Sequence, residues 1–179
     1  MSDGWASLDR LEDHLWSRIE RACSVSDDPW RLVALATIGQ KGPQVRTVAL
    51  RACDRSARAV EMHTDARTPK ARQIGIDPRA QILLWDPNTQ EQLRLSLDVE
   101  IVRGDRDRWS RIPEASRGNY GTDPTPGTPI AHQDAFDRTP ALERHAALVG
   151  RIVEIDAVNL SSDPHLRAQW NGMWVWVAP

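Results

Sequence analysis

Between Glu91 and Val102 the chain alternates more strictly than anywhere else. Leu93, Leu95, Leu97, Val99 and Ile101 take one side, and Gln92, Arg94, Ser96, Asp98 and Glu100 take the other. A period of two marks a strand with one packed face and one wet face. Upstream, "WRLVALATI", "QVRTVALRACD" and "AVEMHTD" are rich in β-formers and separated by the turn-formers of "GQKGP" and "DRSAR", which predicts three antiparallel strands. "AQILLWD" predicts a further strand, as do "GRIVEIDAVNL", "LRAQW" and "MWVWVAP". A period near 3.6 appears at residues 7–23, where Leu8, Leu11, Leu15, Trp16, Ile19 and Cys23 share a stripe behind Ser7 as a candidate cap. Shorter helices are predicted in "TPKARQIGIDP", "DRDRWSRIP" and "ALERHAAL", the last placing His145 on a helix surface. Strands at short spacing with peripheral helices predict an α+β, mainly β protein built on an antiparallel barrel.

Residues 113–140 interrupt this pattern with five prolines and three glycines. A stretch that long is either mobile or wraps over a site or a neighbour. His132, Asp134 and Asp137 within it match no metal motif, so a solvated loop is expected and no metal is assigned. The segment "RTVALR", Arg46 to Arg51, poses a different problem. Alternation puts Arg46, Val48 and Leu50 on one face and Thr47, Ala49 and Arg51 on the other, so each face of an apolar strand carries a guanidinium. Each arginine must escape to water or meet an anion or a set of acceptors.

Composition narrows the possibilities. The 179 residues suit one domain spanning 1–179, able to bury its own core, and the net charge of −2 gives no global field for nucleic acid or an anionic membrane. Two cysteines, Cys23 and Cys53, lack metal-type or CxxC spacing and are expected to be core thiols in a reducing compartment. No apolar run is long enough to span a bilayer and "MSDGWASLDR" lacks a signal-peptide core, so a cytoplasmic location is expected. Among the eight tryptophans, Trp170, Trp174 and Trp176 crowd the last ten residues, so the final strand is expected to pack on something substantial, for which a partner subunit would serve.

Only two of the 23 basic residues are lysines, and one of them, Lys70, lies in "HTDARTPKARQ". Thr68 suits a helix N-cap and Pro69 the first helical position, with Arg67, Lys70 and Arg72 around the first turn. Free amides, the positive end of a helix dipole, a hydroxyl and several cations converge there as a phosphate requires. A capped surface helix with solvated charges is the plain alternative.

The succession R-T-V-A-L-R, then His63-Thr64, then Thr68-Pro69-Lys70, then Gln92, resembles the pyridoxamine 5'-phosphate oxidase family of FMN-binding split barrels. "DPHLRAQW" and the terminal "VAP" resemble that family's His-x-Arg strand and C-terminus, so the likeness runs from about Val33 to the end. It implies an antiparallel, Greek-key type split barrel with peripheral helices, working as a homodimer with FMN at the interface. It further implies that Arg46, Thr68 and Lys70 contact the FMN phosphate and that the backbone of Thr47, Val48, Ala49 and Leu50 runs beside the isoalloxazine. Arg51, His63, Thr64 and Gln92 would flank the ring, and Arg167 would reach the flavin of the other subunit. Arg51, Ser116 and His165 would face the substrate, with catalytic residues unassigned. Three features depart from the family pattern: Pro69 stands where an arginine is usual, leaving Arg67 or Arg72 as substitutes; Asp163 stands where true pyridoxamine-phosphate oxidases carry a substrate-holding arginine; and the tryptophan expected upstream of the His-x-Arg motif is absent, with Ala157, Val158 and Asn159 in the neighbourhood. The resemblance implies a flavin-dependent oxidoreductase for a small molecule. Authentic pyridoxamine or pyridoxine 5'-phosphate oxidation by oxygen, and a binding protein for flavin, deazaflavin or haem, are the alternatives.

Overall fold

A computed structural model describes residues 3–179. Helix α1 (Leu8–Ser24) begins at Ser7, whose Oγ accepts from the Arg10 amide at 3.4 Å, and it buries Leu11, Leu15, Trp16, Ile19 and Ala22. The strands follow as β1 (Leu32–Gly39), β2 (Gly42–Asp54), β3 (Ala59–Asp65), β4 (Arg79–Asp86) and β5 (Glu91–Arg103), with helix α2 (Pro69–Ile76) between β3 and β4. Two short helices, α3 (Arg106–Arg111) and α4 (Glu114–Arg117), lead into a small ribbon of β6 (Thr122–Asp123) and β7 (Asp137–Arg138). The chain ends in β8 (His145–Asn159), β9 (Leu166–Trp170) and β10 (Trp174–Trp176).

All pairings are antiparallel, in the order β10-β9-β8-β3-β2-β1-β4-β5, and β5 returns to pair with β8. Six strands, β1 to β5 and β8, therefore close a barrel, which removes the free edges an open sheet would expose. The alternation read in β5 is the packing observed: Leu93, Leu95, Leu97 and Val99 are buried. They join Leu35, Leu50, Met62, Ile82 and Leu148 in one core that α1 covers. Gly150 lets β8 approach β5 closely, because a Cβ there would lie 2.8 Å from Leu97 Cδ1.

One element differs from the sequence reading. "ALERHAAL" is not a helix: a single 3-10 turn at Leu142–Arg144 gives way to β8 at His145. Its alanines and leucine satisfy helical periodicity, but Ala146, Ala147 and Leu148 pair across β3 and β5 and are wholly buried, so tertiary pairing overrides local propensity. His145 is accordingly a buried strand residue, not one on a helix surface.

The C-terminal tryptophans find support largely within the chain. Trp174 Nε1 donates to Glu12 at 2.8 Å, the Arg58 guanidinium lies 4.1 Å above the Trp170 ring, and Trp176 approaches Trp5. Among the described residues no helix is long and apolar enough to cross a membrane.

Candidate functional site

The ladder between β2 and β3 slips between Leu50 and Ala52. Leu50 is buried, Arg51 and Ala52 are both exposed, and Cys53 turns back toward the core. A bulge of this kind re-aims a side chain. Here it turns Ala52 outward beside Arg51, which keeps the direction alternation gives it, next to Glu61 and His63 on the same side of β3, while Arg46 lies on the other face of β2. The two arginines thus serve two neighbouring places.

Arg46 belongs to a groove lined also by Gln44, Thr68, Lys70, Pro126 and Gly127, with a volume of about 580 Å³. Its guanidinium donates to Thr37 Oγ1 at 2.6 Å, to Gln73 Oε1 at 3.1 Å and to the Leu35 carbonyl at 3.3 Å. Lys70 Nζ donates to Thr64 Oγ1 at 3.0 Å. None of these partners is a carboxylate. Burial pulls Arg46 below its usual range. Burial, and then the charge of Arg46, do the same to Lys70. Thr68 occupies the N-cap position of α2 as expected, but its hydroxyl donates to the Asp65 carbonyl at 2.9 Å and caps nothing in the helix. The first-turn amides are left for an external anion. Two half-buried cations, uncapped amides and no carboxylate lining the groove fit a phosphate dianion.

Neither expected substitute for the missing family arginine reaches this groove. Arg67 clasps Asp65 at 2.7 Å and donates to the Thr122 carbonyl at 2.7 Å, while Arg72 donates to the Arg67 carbonyl. Arg67 instead fastens the Pro-rich segment, which brings Pro126 and Gly127 to the groove rim, where Gly127 packs beside Pro69. Of the two outcomes expected for residues 113–140, wrapping over a site is the one seen.

Arg51 opens into a second cavity of about 390 Å³, shared with Arg31, Glu61, His63, Arg108, Arg111, Ser116 and Tyr120. Four arginines face one carboxylate. His63 Nε2 lies 2.8 Å from Glu61 Oε1, and Arg108 Nε donates to Glu61 Oε2 at 2.9 Å. Burial works to raise Glu61, but the hydrogen bonds from His63 and Arg108 leave it below the usual carboxylate range. An ionised carboxylate only accepts, so His63 carries a proton on Nε2. Tyr120 shares the cavity with Arg51, and Tyr120, Trp109 and His63 enclose His145. Neither His145 ring nitrogen has a partner.

The remaining expected residues are distributed unevenly. Thr64 and Thr68 meet at 3.2 Å within the phosphate groove. Leu50 is wholly buried and its amide donates to the Arg31 carbonyl, so its side chain contacts no site. Val48 also packs on the core, whereas Thr47 and Ala49 share the outer face with Arg51. Gln92 and Arg167 lie elsewhere: each pairs with Val158 from opposite sides, on the outer face of β5, β8 and β9. Arg167 is clasped there by Asp156 at 2.7 and 3.0 Å. His165 is exposed in the turn before β9 and does not line the Arg51 cavity, whereas Ser116 does. His132 contacts Asp134 on the exposed loop, and among the described residues no group of three or more ligand-type side chains converges.

Sequence reasoning missed Glu61, Arg108, Arg111 and Tyr120. Glu61 was legible, being two residues before His63 on the same strand face. The α3 arginines were not, because nothing local says which face of a short helix meets the barrel.

A family model for the pyridoxamine 5'-phosphate oxidase FMN-binding domain matches residues 13–103. The chain belongs to that family. Pyridoxine/pyridoxamine 5'-phosphate oxidase 2 of Arabidopsis thaliana is 25% identical over 150 residues, covering 75% of this chain and 76% of that protein. A pyridoxamine 5'-phosphate oxidase-related, FMN binding protein from Nostoc punctiforme superposes with a TM-score of 0.78 at 26% identity, over 97% of this chain and 100% of its own. PhzG from Burkholderia lata, solved with tetrahydrophenazine-1-carboxylic acid, superposes at 0.74 with 18% identity, over 93% and 92% of the two chains, and shares the fold.

Proposed function

We propose that this family member is an FMN-dependent oxidoreductase that takes a hydride from a small anionic molecule. The observation that carries the reading is adjacency: a groove built for a phosphate dianion opens on one face of β2, and an arginine-rich cavity with a histidine-carboxylate pair opens on the other. Arg46, Thr68 and Lys70 hold the FMN phosphate, and the outer edge of β2 from Thr47 to Arg51 runs beside the ring. FMN, when bound, supplies hydride acceptance. The protein's own part is to place the substrate and manage its proton. Arg51 and Arg111, for which no ion pair is seen among the described residues, bind the substrate anion, and Ser116 and Tyr120 give it further hydrogen bonds. His63, held by Glu61, accepts the proton that a substrate N–H or O–H loses as the adjacent C–H is oxidised.

The working unit in this proposal is a two-fold dimer in which Gln92 and Arg167 complete the partner's flavin site. Exposed Trp85 and Leu83, directly across from Gln92 and Arg94 on the same face, supply apolar surface for that contact.

The visible spectrum of the purified protein tests the cofactor directly, followed by denaturation and chromatography of the released chromophore. FMN supports the reading; a deazaflavin, haem or no chromophore after incubation with FMN removes it. Anaerobic bleaching by candidate anionic substrates then separates an oxidoreductase from a carrier. A second reading, oxidation of pyridoxamine 5'-phosphate itself, draws support from the four cavity arginines and is opposed by Asp163.

A further inference from the structure

Two neighbouring rungs cross the outer face of β5, β8 and β9. Gln92, Val158 and Arg167 make one, and Arg94, Asp156 and Gln169 make the next. Asp156 is the one carboxylate in the pair of rungs, and it is buried. Its Oδ1 accepts from Arg167 Nε at 3.0 Å, and its Oδ2 accepts from Arg167 Nη2 at 2.7 Å, from Gln169 Nε2 at 3.1 Å and from Arg94 Nη2. Burial works against the charge, but the hydrogen bonds from Arg167, Gln169 and Arg94 hold the carboxyl down at about 2, so it is ionised throughout the neutral range.

The clasp on Arg167 is side-on and two-point, which fixes the plane of the guanidinium as well as its place. Its Nη1 is left without a partner among the described residues. The Arg167 side chain is 30% exposed against 12% for Asp156, so the arginine, not the carboxylate, is the group offered to the surface. Two guanidiniums on one carboxylate also leave a net positive charge beside Gln92. An arginine on a free stem samples many rotamers and loses that freedom on binding, whereas one already held by a buried carboxylate loses little. We propose that Asp156 is a positioning residue that presets Arg167 for the partner's flavin. The inference rests on the dimeric flavin site proposed above. Asp156 is buried among donors of its own chain and acts across the dimer through Arg167.

The test is FMN titration of the purified dimer, read by the quenching of flavin fluorescence. Asp156→Asn keeps the volume of the side chain and one acceptor but not the charge. It should bind FMN roughly three- to tenfold more weakly than wild type, the range expected when one long side chain must be ordered on binding. Adding Asp156→Asn to Arg167→Ala should cost nothing further, because the arginine it positions is gone. Mixed with Lys70→Ala chains, Asp156→Asn chains should regenerate wild-type sites. Mixed with Arg167→Ala chains they should not, since both changes lie in the same half of the site. Unchanged or tighter FMN binding by Asp156→Asn, or a loss that adds in full to that of Arg167→Ala, would overturn the inference alone. Unchanged binding by Arg167→Ala would remove the dimeric flavin site and this inference with it, so the two failures are told apart. A measurement on the wild type covers the case in which Asp156→Asn does not fold: the Arg167 Nε–H resonance, assigned by its absence from Arg167→Lys, should exchange slowly with water in the apoprotein and the FMN-loaded protein alike. Fast exchange in the apoprotein would show that the guanidinium is not held before the flavin arrives, and the proposal would fall.

Discussion

Gln92 and Arg167 stand on one rung of the sheet, with Val158 between them as the strand partner of both. Neither lines the groove of Arg46, Thr68 and Lys70, so one chain presents two separated halves of the expected flavin site. Two-fold symmetry brings such halves together twice, and it is the commonest symmetry of soluble oligomers. We therefore expect a dimer by sedimentation. Mixing Arg167→Ala chains with Lys70→Ala chains in equal amounts should restore about a quarter of the wild-type flavin sites, one in each mixed dimer, whereas each variant alone binds poorly. A stable monomer that holds one flavin at full affinity would show that the rung has no such role.

Lys70 shares its groove with Arg46 and with no carboxylate, and its ammonium is pushed down first by burial and then by that neighbour. The folded apoprotein therefore holds this proton less tightly than the unfolded chain does. Lys70 lowers apoprotein stability at neutral pH, and the cost fades as pH rises through its depressed pKa. Lys70→Met should raise the apoprotein Tm while weakening FMN by about 1.5–3 kcal/mol, roughly tenfold to a hundredfold. Riboflavin, lacking the phosphate, should bind wild type and variant alike. Calorimetry of the four protein–ligand pairs checks this, and an equal loss for riboflavin and FMN would place Lys70 away from the phosphate.

His145 is wholly buried, its ring 4.7 Å from that of His63 and both nitrogens unpartnered. Burial, and then the neighbouring His63, lower its pKa to about 4. Unfolding returns it to an ordinary histidine, so between about pH 6.5 and 4 the unfolded chain binds the extra proton. Stability attached to this residue is full above that window and is lost as pH falls through it, by about 2–3 kcal/mol. His145→Phe keeps a ring in the box and cannot be protonated. Urea unfolding at pH 7.5 and pH 4.5 should show the variant at least as stable as wild type at the first and clearly more stable at the second. Parallel losses in both proteins would assign the acid sensitivity to the carboxylates alone.

How far these features could be read from sequence depends on whether they are local. The period of β5 and the stripe of α1 are local, and both match the structure. The convergence of Arg46, Thr68 and Lys70 on one groove was legible because Thr68 and Lys70 sit within one turn and Arg46 was an evident misfit in an apolar strand. His145 was misread because "ALERHAAL" is helical by propensity, and only pairing with β3 and β5 makes it a strand. The bulge at Arg51 leaves no mark in the local pattern, yet it decides where Ala52 and Cys53 point. Arg67 and Arg72 looked like phosphate ligands by proximity in sequence, but an aspartate two residues away and the carbonyl of Thr122 claimed Arg67 first.

Asp163 bears on the substrate. It is exposed in the turn between β8 and β9, close in sequence to His165 and Arg167, on the part of the chain proposed to complete the partner's site. The resemblance to pyridoxamine 5'-phosphate oxidases implies an arginine in its place, and a tryptophan upstream that this chain also lacks. Replacing that cation with a carboxylate removes an attraction and adds a repulsion. A unit charge pair at about 4 Å is worth about 1 kcal/mol in water and about 4 at an effective dielectric of 20, so the swing reaches several kcal/mol for a phosphorylated substrate. Arg51 and Arg111 remain in the cavity to hold an anion, which keeps the site competent for a substrate whose charge lies at that end. We expect feeble oxidation of pyridoxamine 5'-phosphate by the wild type and a kcat/KM raised tenfold or more, at the order-of-magnitude level, by Asp163→Arg. Stopped-flow reduction of the bound flavin and steady-state oxygen uptake measure both. Efficient turnover by the wild type, unchanged by Asp163→Arg, would mean that this turn lies away from the substrate and that pyridoxamine 5'-phosphate oxidation is the protein's own reaction.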